Sequence, residues 1–204
     1  MTSTTAGRKQ QKTLIRTQGH ERRRALEDKD SISSQIVTRF LALPEYENAR
    51  TVMFYVDVRA EVRTRFALPA AIASDKRIIV PYCVDGILEL FLLEDMDELE
   101  VGMYKILEPR MDLRDHMEKR VDPGDLDLVM VPGVAFDARG GRTGHGNGYY
   151  DKLLALVRPE IPLIAIAFDC QIFPEVPMRQ HDVFMDKVVT ETTVHVGHGR
   201  DQNA

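Results

Sequence analysis

The chain has 204 residues, of which 44% are hydrophobic and 29% are charged, and its formal net charge is -5. This length and composition are typical of one globular domain with a sizeable core. The acidic balance argues against general binding to nucleic acids or anionic membranes. The sequence contains no apolar run of the roughly 18 residues that a membrane span would need.

The cysteines and the N-terminal segment narrow the class of protein further. Cys83 and Cys170 lie far apart and have no cysteine or histidine at ligand spacing, so we expect neither a disulfide framework nor a zinc site. Residues 1–24 are basic but lack the apolar core of a signal peptide. We therefore expect a cytoplasmic protein with a single domain over 1–204, in which residues 1–7 and 195–204 are disordered tails.

Helical patterns come first along the chain. A basic helix is predicted from Arg8 to about Leu26, and a second helix follows it with Asp30 or Ser31 as its cap and ends before Pro44. Further helices are predicted over 64–74 and from Tyr149 to about Val157. Apolar, β-rich runs predict strands at 51–56, 77–80, 87–92, 126–131, 163–168 and 187–190.

The alternation of these strands and helices predicts an α/β fold, a three-layer α/β/α arrangement with a mostly parallel, Rossmann-like central sheet. Asp85-Gly86 is a turn dipeptide, so the run at 87–92 is predicted to form a hairpin with the strand before it. The acidic, irregular stretch 94–125 is predicted to be a covering loop. In open α/β sheets, ligands collect at the carboxyl ends of the strands. Three segments leave such ends: 57–63, the stretch after residue 131, and the stretch from Asp169 onward.

The most informative of these segments is a glycine-rich loop with five glycines between residues 140 and 148. Glycine lets a backbone approach a ligand closely or adopt positive φ, and the helix predicted after the loop would favour an anion at its start. The loop contains neither G-x-x-x-x-G-K-[ST] nor GxGxxG. It therefore predicts a phosphate site of another kind, although a mobile surface loop would have a similar composition.

Several charged side chains could serve such a site. Arg142 suits phosphate because its guanidinium has a fixed charge and forked donors. Asp151 follows the glycines, where a carboxylate would hold Mg²⁺ or simply complement the helix dipole. Asp182 and Asp186 are further candidates four residues apart, although such pairs are commonly solvated surface charges.

Two further features complete the set of candidates. Lys12 and Arg16 share one face of the first helix, where they could close over a triphosphate or remain solvated. Glu61 lies in the loop after the first strand. It is either an exposed acid or a bidentate acceptor for a ring with adjacent N–H donors.

Together these residues resemble a known family. The segment 132–137, followed by the pattern R-x-G-x-G-x-G-Y-Y-D over 142–151, is similar to the signature of the 5-formyltetrahydrofolate cyclo-ligase family. The likeness extends from about Lys9 to Thr192. It implies an enzyme that uses ATP and Mg²⁺ to convert 5-formyltetrahydrofolate into 5,10-methenyltetrahydrofolate, with ADP and phosphate as products. It also implies small-molecule substrates and a monomer, with no nucleic-acid or membrane partner.

The resemblance assigns expected roles by position. It implies that ATP is held by the first helix and the glycine loop, through Lys12, Arg16, Arg142, Thr143, Gly144, His145, Gly146, Asn147, Gly148, Tyr149 and Tyr150. It implies folate contacts at Val56, Glu61, His145, Gly146, Asn147, Gly148 and Tyr149. It implies Mg²⁺ at Asp151 and Asp182, and it implies catalytic positions at Arg142, His145 and Tyr149.

Two alternatives remain open from the sequence. A related enzyme could keep the ATP half of the site and act on another formyl or amide substrate. A non-catalytic module of the same fold could bind nucleotide or folate as a sensor, although such a module would not need the carboxylate at position 151.

His145 departs from the family pattern, because some members have arginine there. Histidine ordinarily titrates near pH 6.5, whereas arginine keeps its charge. If a positive charge at this position stabilises the transferring phosphoryl group, activity falls as the pH rises through the histidine range. His145→Arg should then retain activity at high pH. A flat pH profile, with His145→Arg no more active than wild type at high pH, would contradict this expectation.

Overall fold

The computed structural model describes residues 5–102, 106–179 and 182–200. Within these ranges the helices are α1 (Thr5–Ala25), α2 (Lys29–Leu41), α3 (Pro44–Asn48), α4 (Leu68–Ile72) and α5 (Tyr149–Leu154). The strands are β1 (Thr51–Met53), β2 (Arg77–Val84), β3 (Ile87–Leu93), β4 (Leu99–Val101), β5 (Leu107–Pro109), β6 (Leu128–Val131), β7 (Ala135–Phe136), β8 (Arg142–Thr143), β9 (Leu163–Ile166), β10 (Lys187–Val189) and β11 (Val194–Val196).

A mostly parallel sheet forms the centre of the fold. Its seven strands lie in the order β11-β10-β9-β6-β1-β2-β3. The five inner strands pair in parallel, whereas β3 and β11 are antiparallel edges. The expected α/β class is therefore confirmed, and so is the hairpin at Asp85-Gly86, which joins β2 to β3.

The apolar residues pack on both faces of this sheet. Successive side chains of a strand point to opposite faces, so Val52 belongs to one core cluster and Met53 to the other. Ile36 of α2 lies in the first cluster, and Leu153 of α5 lies in the second. Each fully buried aliphatic side chain contributes about 1.5–3 kcal/mol, so the two clusters hold the three layers together.

Some predicted boundaries are wrong. β1 ends at Met53 rather than at residue 56. The helix predicted over 64–74 is a 3₁₀ turn followed by the short α4, where Pro69 in the first helical turn is tolerated because that turn needs no N–H donor. Helix α2 follows Asp28, which adopts a left-handed conformation and makes no side-chain cap bond, so neither expected cap residue is the cap.

The helix after the glycine loop is also shorter than predicted. It ends at Leu154 instead of about Val157. The N–H of Leu156 donates to the carbonyl of Leu153, a tighter bond than the regular α-helical one. Proline at position 159 restricts the backbone of the residue before it and so disfavours further helix.

The chain ends are more ordered than we expected. Residues 5–7 are helical, and β11 pairs with β10 through Val188 and His195. Residues 5–7 and 195–200, which were predicted to be parts of the tails, therefore belong to the described structure. Residues 1–4 and 201–204 lie outside the described ranges.

The segment predicted as a covering loop packs along the edge strand β3. It contains the β4–β5 hairpin and several 3₁₀ turns. The N–H of Val121 donates to the carbonyl of Leu90 at 3.3 Å, and the buried ammonium of Lys119 pairs with Glu94 and Glu98. The segment thus covers a sheet edge that would otherwise be free to pair with another chain. No described helix is both long and apolar enough to cross a membrane.

The strand order places a topological switch between β1 and β6. The chain leaves β1 toward β2 on one side, and it later returns to β6 on the other side of β1. Ligands in open α/β sheets bind outside the carboxyl ends of the strands at such a point. The segments after β1 and after β6 therefore meet where a ligand site is expected.

Helix α1 lies against the segment that follows β6. Ile15 packs with Ala135 and Phe173, and the backbone of Gly19 approaches the carbonyl of Val134. A Cβ on Gly19 would lie 2.6 Å from that oxygen. Glycine is thus required inside this helix by close packing, although it costs about 1 kcal/mol of helix propensity relative to alanine.

Gly19→Ala is expected to lower the free energy of unfolding by about 1–3 kcal/mol, because the added methyl overlaps the Val134 carbonyl. Chemical denaturation measures the change. In an unobstructed helix the same substitution would stabilise by about 1 kcal/mol, so the sign of the change tests the contact. Thr17→Ala, at an exposed position on the same helix, is the control and should stay within about 0.5 kcal/mol of wild type.

Candidate active site

The glycine loop is anchored at its start by the buried carboxylate of Asp137. This carboxylate accepts hydrogen bonds from the N–H groups of Arg139 and Gly141, both at 2.9 Å, and of Val176 at 2.8 Å. Gly140 has φ +87°, and a Cβ there would lie 2.2 Å from the carbonyl oxygen of Met185. The base of the loop is therefore rigid and glycine-dependent, and β7 and β8 pair across it.

The tip of the loop is exposed and faces α1. His145, Gly146 and Asn147 are all exposed, and Gly146 has φ +108°. Arg16 Nε donates to the carbonyl of Gly144 at 2.8 Å. A Cβ on Gly146 would lie 3.5 Å from the Arg16 guanidinium carbon, so the cation and the loop backbone form one surface. The last glycine, Gly148, has φ +70° and precedes α5.

Arg142 is buried and makes contacts within the protein. Its Nη2 lies 2.6 Å from Oδ1 of Asp151, and its Nη1 donates to the carbonyl of Pro132 at 3.2 Å. The guanidinium carbon lies 5.8 Å from the ring centroid of Tyr150. The Nε is buried without a hydrogen-bond partner among the described residues. Arg142 thus orients the carboxylate of Asp151 and stiffens the entry to α5.

Glu61 joins the loop after β1 to the glycine loop. Its Oε1 lies 3.2 Å from Nε2 of His145, and its Oε2 accepts from the N–H of Val58 at 3.1 Å. The residue is 6% exposed, so of the two readings of Glu61 the exposed acid is wrong. Burial, followed by the charge of Glu61, raises the pKa of the Tyr150 hydroxyl. Val56 lies nearby in sequence and is half-buried.

Asp57 orders the loop that carries Glu61, although only its position after a strand pointed to it in the sequence. Its fully buried carboxylate accepts from the N–H groups of Thr64 and Arg65 at 2.9 and 3.0 Å. Burial alone would raise the pKa of Asp57, but these backbone hydrogen bonds, together with the hydrogen bond and charge of the Arg65 guanidinium, hold the pKa below its ordinary value.

Lys12 reaches Asp182, whereas Asp186 lies elsewhere. The Lys12 ammonium pairs with Asp182 Oδ2, which also accepts from the N–H of Arg179 at 2.7 Å. Asp186 Oδ2 instead accepts from the N–H of Leu163, at the amino end of β9. The two aspartates do not share a helix face, because residues 182–186 are not helical. Asp182 alone remains near the site.

Two residues of α1, Arg23 and His20, also lie in this region, although the sequence analysis did not select them. Arg23 is 3% exposed, and its Nη1 donates to the carbonyl of Gly133 at 3.1 Å. His20 lies one turn beyond Arg16, and its ring centroid is 5.2 Å from that of His145. His20 lies eight residues after Lys12 and four residues after Arg16, so all three share one helix face. This spacing could have identified His20 as a further candidate.

Asp151 and Asp182 offer carboxylate oxygens, the kind of ligand that Mg²⁺ prefers. Among the described residues, no group of three His, Cys, Asp or Glu side chains is placed to hold a metal ion. Two carboxylates, Asp151 and Asp182, each stand beside a cation. Mg²⁺ prefers oxygen ligands and commonly keeps several waters while using one or two carboxylates and substrate phosphates. The side chains therefore fit Mg²⁺ bound together with a phosphate ligand.

Comparisons with known sequences agree with one another. The model of the 5-formyltetrahydrofolate cyclo-ligase family matches residues 8–191. A probable 5-formyltetrahydrofolate cyclo-ligase of Schizosaccharomyces pombe is 32% identical over 179 residues, which cover 81% of this chain and 86% of that protein. The 5-formyltetrahydrofolate cyclo-ligase of Escherichia coli strain K12 is 30% identical over 180 residues, covering 85% and 97%.

Solved structures show the same relationship. The NMR structure of Aquifex aeolicus 5,10-methenyltetrahydrofolate synthetase matches with a TM-score of 0.79 at 30% identity, covering 92% of this chain and 93% of that one. A 5,10-methenyltetrahydrofolate synthetase from Mycoplasma pneumoniae matches with a TM-score of 0.70 at 21% identity, covering 88% and 98%. The second likeness shows the fold alone.

Asp57→Asn is expected to lower the free energy of unfolding at pH 7 by about 1–3 kcal/mol, because an amide cannot accept all the bonds that the carboxylate accepts. The contribution of Asp57 is present above about pH 3.8, the ordinary carboxyl value, and is lost as the pH falls through the lower folded pKa. Urea denaturation at several pH values should show the gap between variant and wild type closing below about pH 3.8.

The control for this measurement is Asp30→Asn. Asp30 also pairs with an arginine of the same loop, but its side chain is 90% exposed, so the change should stay within about 0.5 kcal/mol. An Asp57→Asn gap that is absent at pH 7, or that persists unchanged in acid, would contradict the structural role of Asp57.

Proposed function

Because the chain belongs to the 5-formyltetrahydrofolate cyclo-ligase family, we propose that this enzyme, acting as a single domain, cyclises 5-formyltetrahydrofolate to 5,10-methenyltetrahydrofolate at the expense of ATP. The observation that carries the proposal is the junction at the loop tip. There Arg16 contacts the carbonyl of Gly144, and His145 contacts Glu61. A reaction between two bound molecules needs both sites to meet at one point.

ATP occupies the side of the junction formed by α1 and the glycine loop. Lys12 and Arg16 supply positive charge on one helix face, and the exposed backbone of 145–147 can approach a phosphate because Gly146 has no Cβ. Arg16 donates a hydrogen bond to the carbonyl of Gly144, which directly precedes this backbone. The remaining loop residues of the proposed ATP site are Arg142, Thr143, Asn147, Gly148, Tyr149 and Tyr150.

Folate occupies the side formed by the loop after β1. Glu61 is held by the N–H of Val58 and by the ring of His145. A folate ring with adjacent N–H donors can take the place of His145 on Oε1. The carboxylate then keeps a full set of partners, as a buried acid requires. Val56 provides an apolar contact beside it, and the exposed loop tip from His145 to Tyr149 closes over the formyl group.

The chemistry explains why the two substrates must meet. The formamide oxygen of the substrate is a poor leaving group. Transfer of the terminal phosphoryl group of ATP to that oxygen forms an iminium phosphate and releases ADP. Nitrogen 10 of the folate then attacks the formyl carbon, and phosphate leaves with the oxygen as the ring closes. Such transfers depend mainly on positioning and charge neutralisation.

Individual side chains have defined tasks in this reaction. Arg142 keeps Asp151 oriented from a buried position, and Lys12 and Arg16 neutralise the phosphates. His145 and Tyr149 lie at the junction of the substrates. Asp151 and Asp182 would hold Mg²⁺, which neutralises phosphate charge when bound.

The decisive assay combines the purified protein with 5-formyltetrahydrofolate, ATP and Mg²⁺ and follows the absorbance of methenyltetrahydrofolate. The expected result is product formation that requires all three components, with one ADP released per product. ATP hydrolysis coupled to another formyl or amide substrate would favour a related enzyme. Binding of nucleotide or folate by folded protein without turnover would favour a sensor module. Either result would overturn the proposal.

Asp151→Asn tests the metal assignment with almost no change in shape. We expect a loss of about 10²-fold or more in kcat and a rise of about 10- to 100-fold in the Mg²⁺ concentration at half-saturation. Because Asp151 also pairs with Arg142, lower kcat alone could reflect the lost ion pair, so the Mg²⁺ titration is the deciding measurement.

The control for the Mg²⁺ titration is Glu160→Gln, an exposed acid beyond α5 that pairs with Arg158, which should leave both constants unchanged. An unaltered Mg²⁺ requirement in Asp151→Asn would show that Asp151 is not a metal ligand, while leaving the cyclo-ligase activity of the wild type intact.

A further inference from the structure

A series of side-chain contacts connects the buried Arg23 to Glu61. Arg23 Nη2 lies 3.4 Å from Nδ1 of His20. The His20 ring contacts the ring of His145 in a tilted arrangement with their centroids 5.2 Å apart, and His145 Nε2 lies 3.2 Å from Oε1 of Glu61. Arg23 and His20 lie on α1, and the proposed function assigns neither of them a task.

The contact with Arg23 fixes the position of the proton on His20. A guanidinium has five N–H donors and no acceptor, so Nδ1 of His20 must accept and the proton of the neutral ring must sit on Nε2. Nδ1 is the one His20 ring nitrogen with a hydrogen-bond partner in the described part of the chain. The ring is partly exposed, so the N–H on Nε2 is left free to donate to a ligand.

The surroundings of His20 keep it neutral. Burial, then the charges of Arg23 and His145, and then those of Arg24 and Arg16, lower its pKa to about 4. These groups come from α1 itself and from the glycine loop packed against it. At neutral pH His20 is therefore an uncharged donor in a fixed orientation.

Gly19 and Arg23 hold this donor in place. Gly19 brings the α1 backbone against Val134, and the other Arg23 nitrogen, Nη1, donates to the carbonyl of Gly133. His20 lies between these anchors, so the helix can neither slide nor rotate without breaking a buried contact. A donor held this way needs no reorganisation during the reaction, which is the condition for electrostatic stabilisation of a transition state.

We propose that His20 is a further catalytic residue of this enzyme, a neutral N–H donor to an oxygen of the terminal phosphoryl group while that group is transferred to the formyl oxygen, and that Arg23 is the positioning residue that fixes its tautomer. This inference rests on the proposed cyclo-ligase activity. The ring contact with His145 places His20 beside the junction of the two substrates. A neutral donor there stabilises the negative charge on the phosphoryl oxygens without adding a charge that would compete with Mg²⁺.

The kinetic test compares His20→Phe with His20→Gln. Phenylalanine keeps the ring contact with His145 but has no donor, whereas the glutamine amide replaces the donor at Nε2. We expect His20→Phe to lower kcat about 10²-fold with the KM for ATP changed less than about threefold, and His20→Gln to retain most of kcat. Equal, wild-type kcat in both variants, or equal loss in both with lowered thermal stability, would overturn the catalytic assignment.

The second test does not depend on activity and examines Arg23. In an NMR titration of the free protein, the His20 ring should show no protonation step above about pH 5, and its nitrogen shifts should report the Nε2–H tautomer. In Arg23→Met we expect the pKa of His20 to rise and the tautomers to mix, because the largest charge acting on the ring is gone. A His20 pKa left unchanged by Arg23→Met would overturn the positioning role.

The matched control for that titration is Arg24→Met, which removes an exposed neighbouring arginine whose charge acts less strongly on His20 and whose Nε bonds the His20 carbonyl, not the ring. It should leave the tautomer fixed. If the wild-type protein makes no methenyltetrahydrofolate, the proposed function fails. If the wild type turns over and His20→Phe matches it, only the inference about His20 fails.

Discussion

The docking of α1 on the backbone after β6 is the constraint on which the site depends. Gly19 removes the side chain that would separate the helix from Val134, and Arg23 ties the same helix to the carbonyl of Gly133. Because α1 is a continuous helix, these two contacts also fix where Arg16 and Lys12 lie, about one and two turns before Gly19. The two cations of the proposed ATP site are therefore positioned by the packing of their helix as well as by the contact of Arg16 with the glycine loop.

Charged side chains of the site pair with one another. Lys12 faces Asp182, Arg142 faces Asp151, and His145 faces Glu61. In the proposed function a polyphosphate replaces the carboxylate beside Lys12 and a divalent cation takes up that carboxylate, so the exchange of partners leaves no charge uncompensated. Such an exchange would lower the cost of desolvating the site when the ligands bind, since isolated charges away from water are expensive.

Local patterns predicted the sheet and the loop, whereas the site depends on contacts that no local pattern encodes. Buried parallel strands are recognisable because both faces are apolar, as in β6 and β9. The bond between Glu61 and His145 joins residues 84 positions apart, which only the strand order brings together. Asp182 and Asp186 lie four residues apart, the spacing of one helix face, but the chain there is not helical and the two carboxylates contact different partners. The burial of Arg142 could not be predicted from the sequence either, because a charged residue among glycines is ordinarily expected to be exposed.

The contact between His145 and Glu61 also bears on the comparison of histidine with arginine at position 145. An ionised carboxylate only accepts hydrogen bonds, so Nε2 of His145 must carry a proton to make this contact. A neutral ring in that tautomer still donates to Glu61, and a protonated ring adds charge without changing the geometry. Both forms of the ring therefore keep this contact in the absence of folate, whereas an arginine at this position would carry a fixed charge.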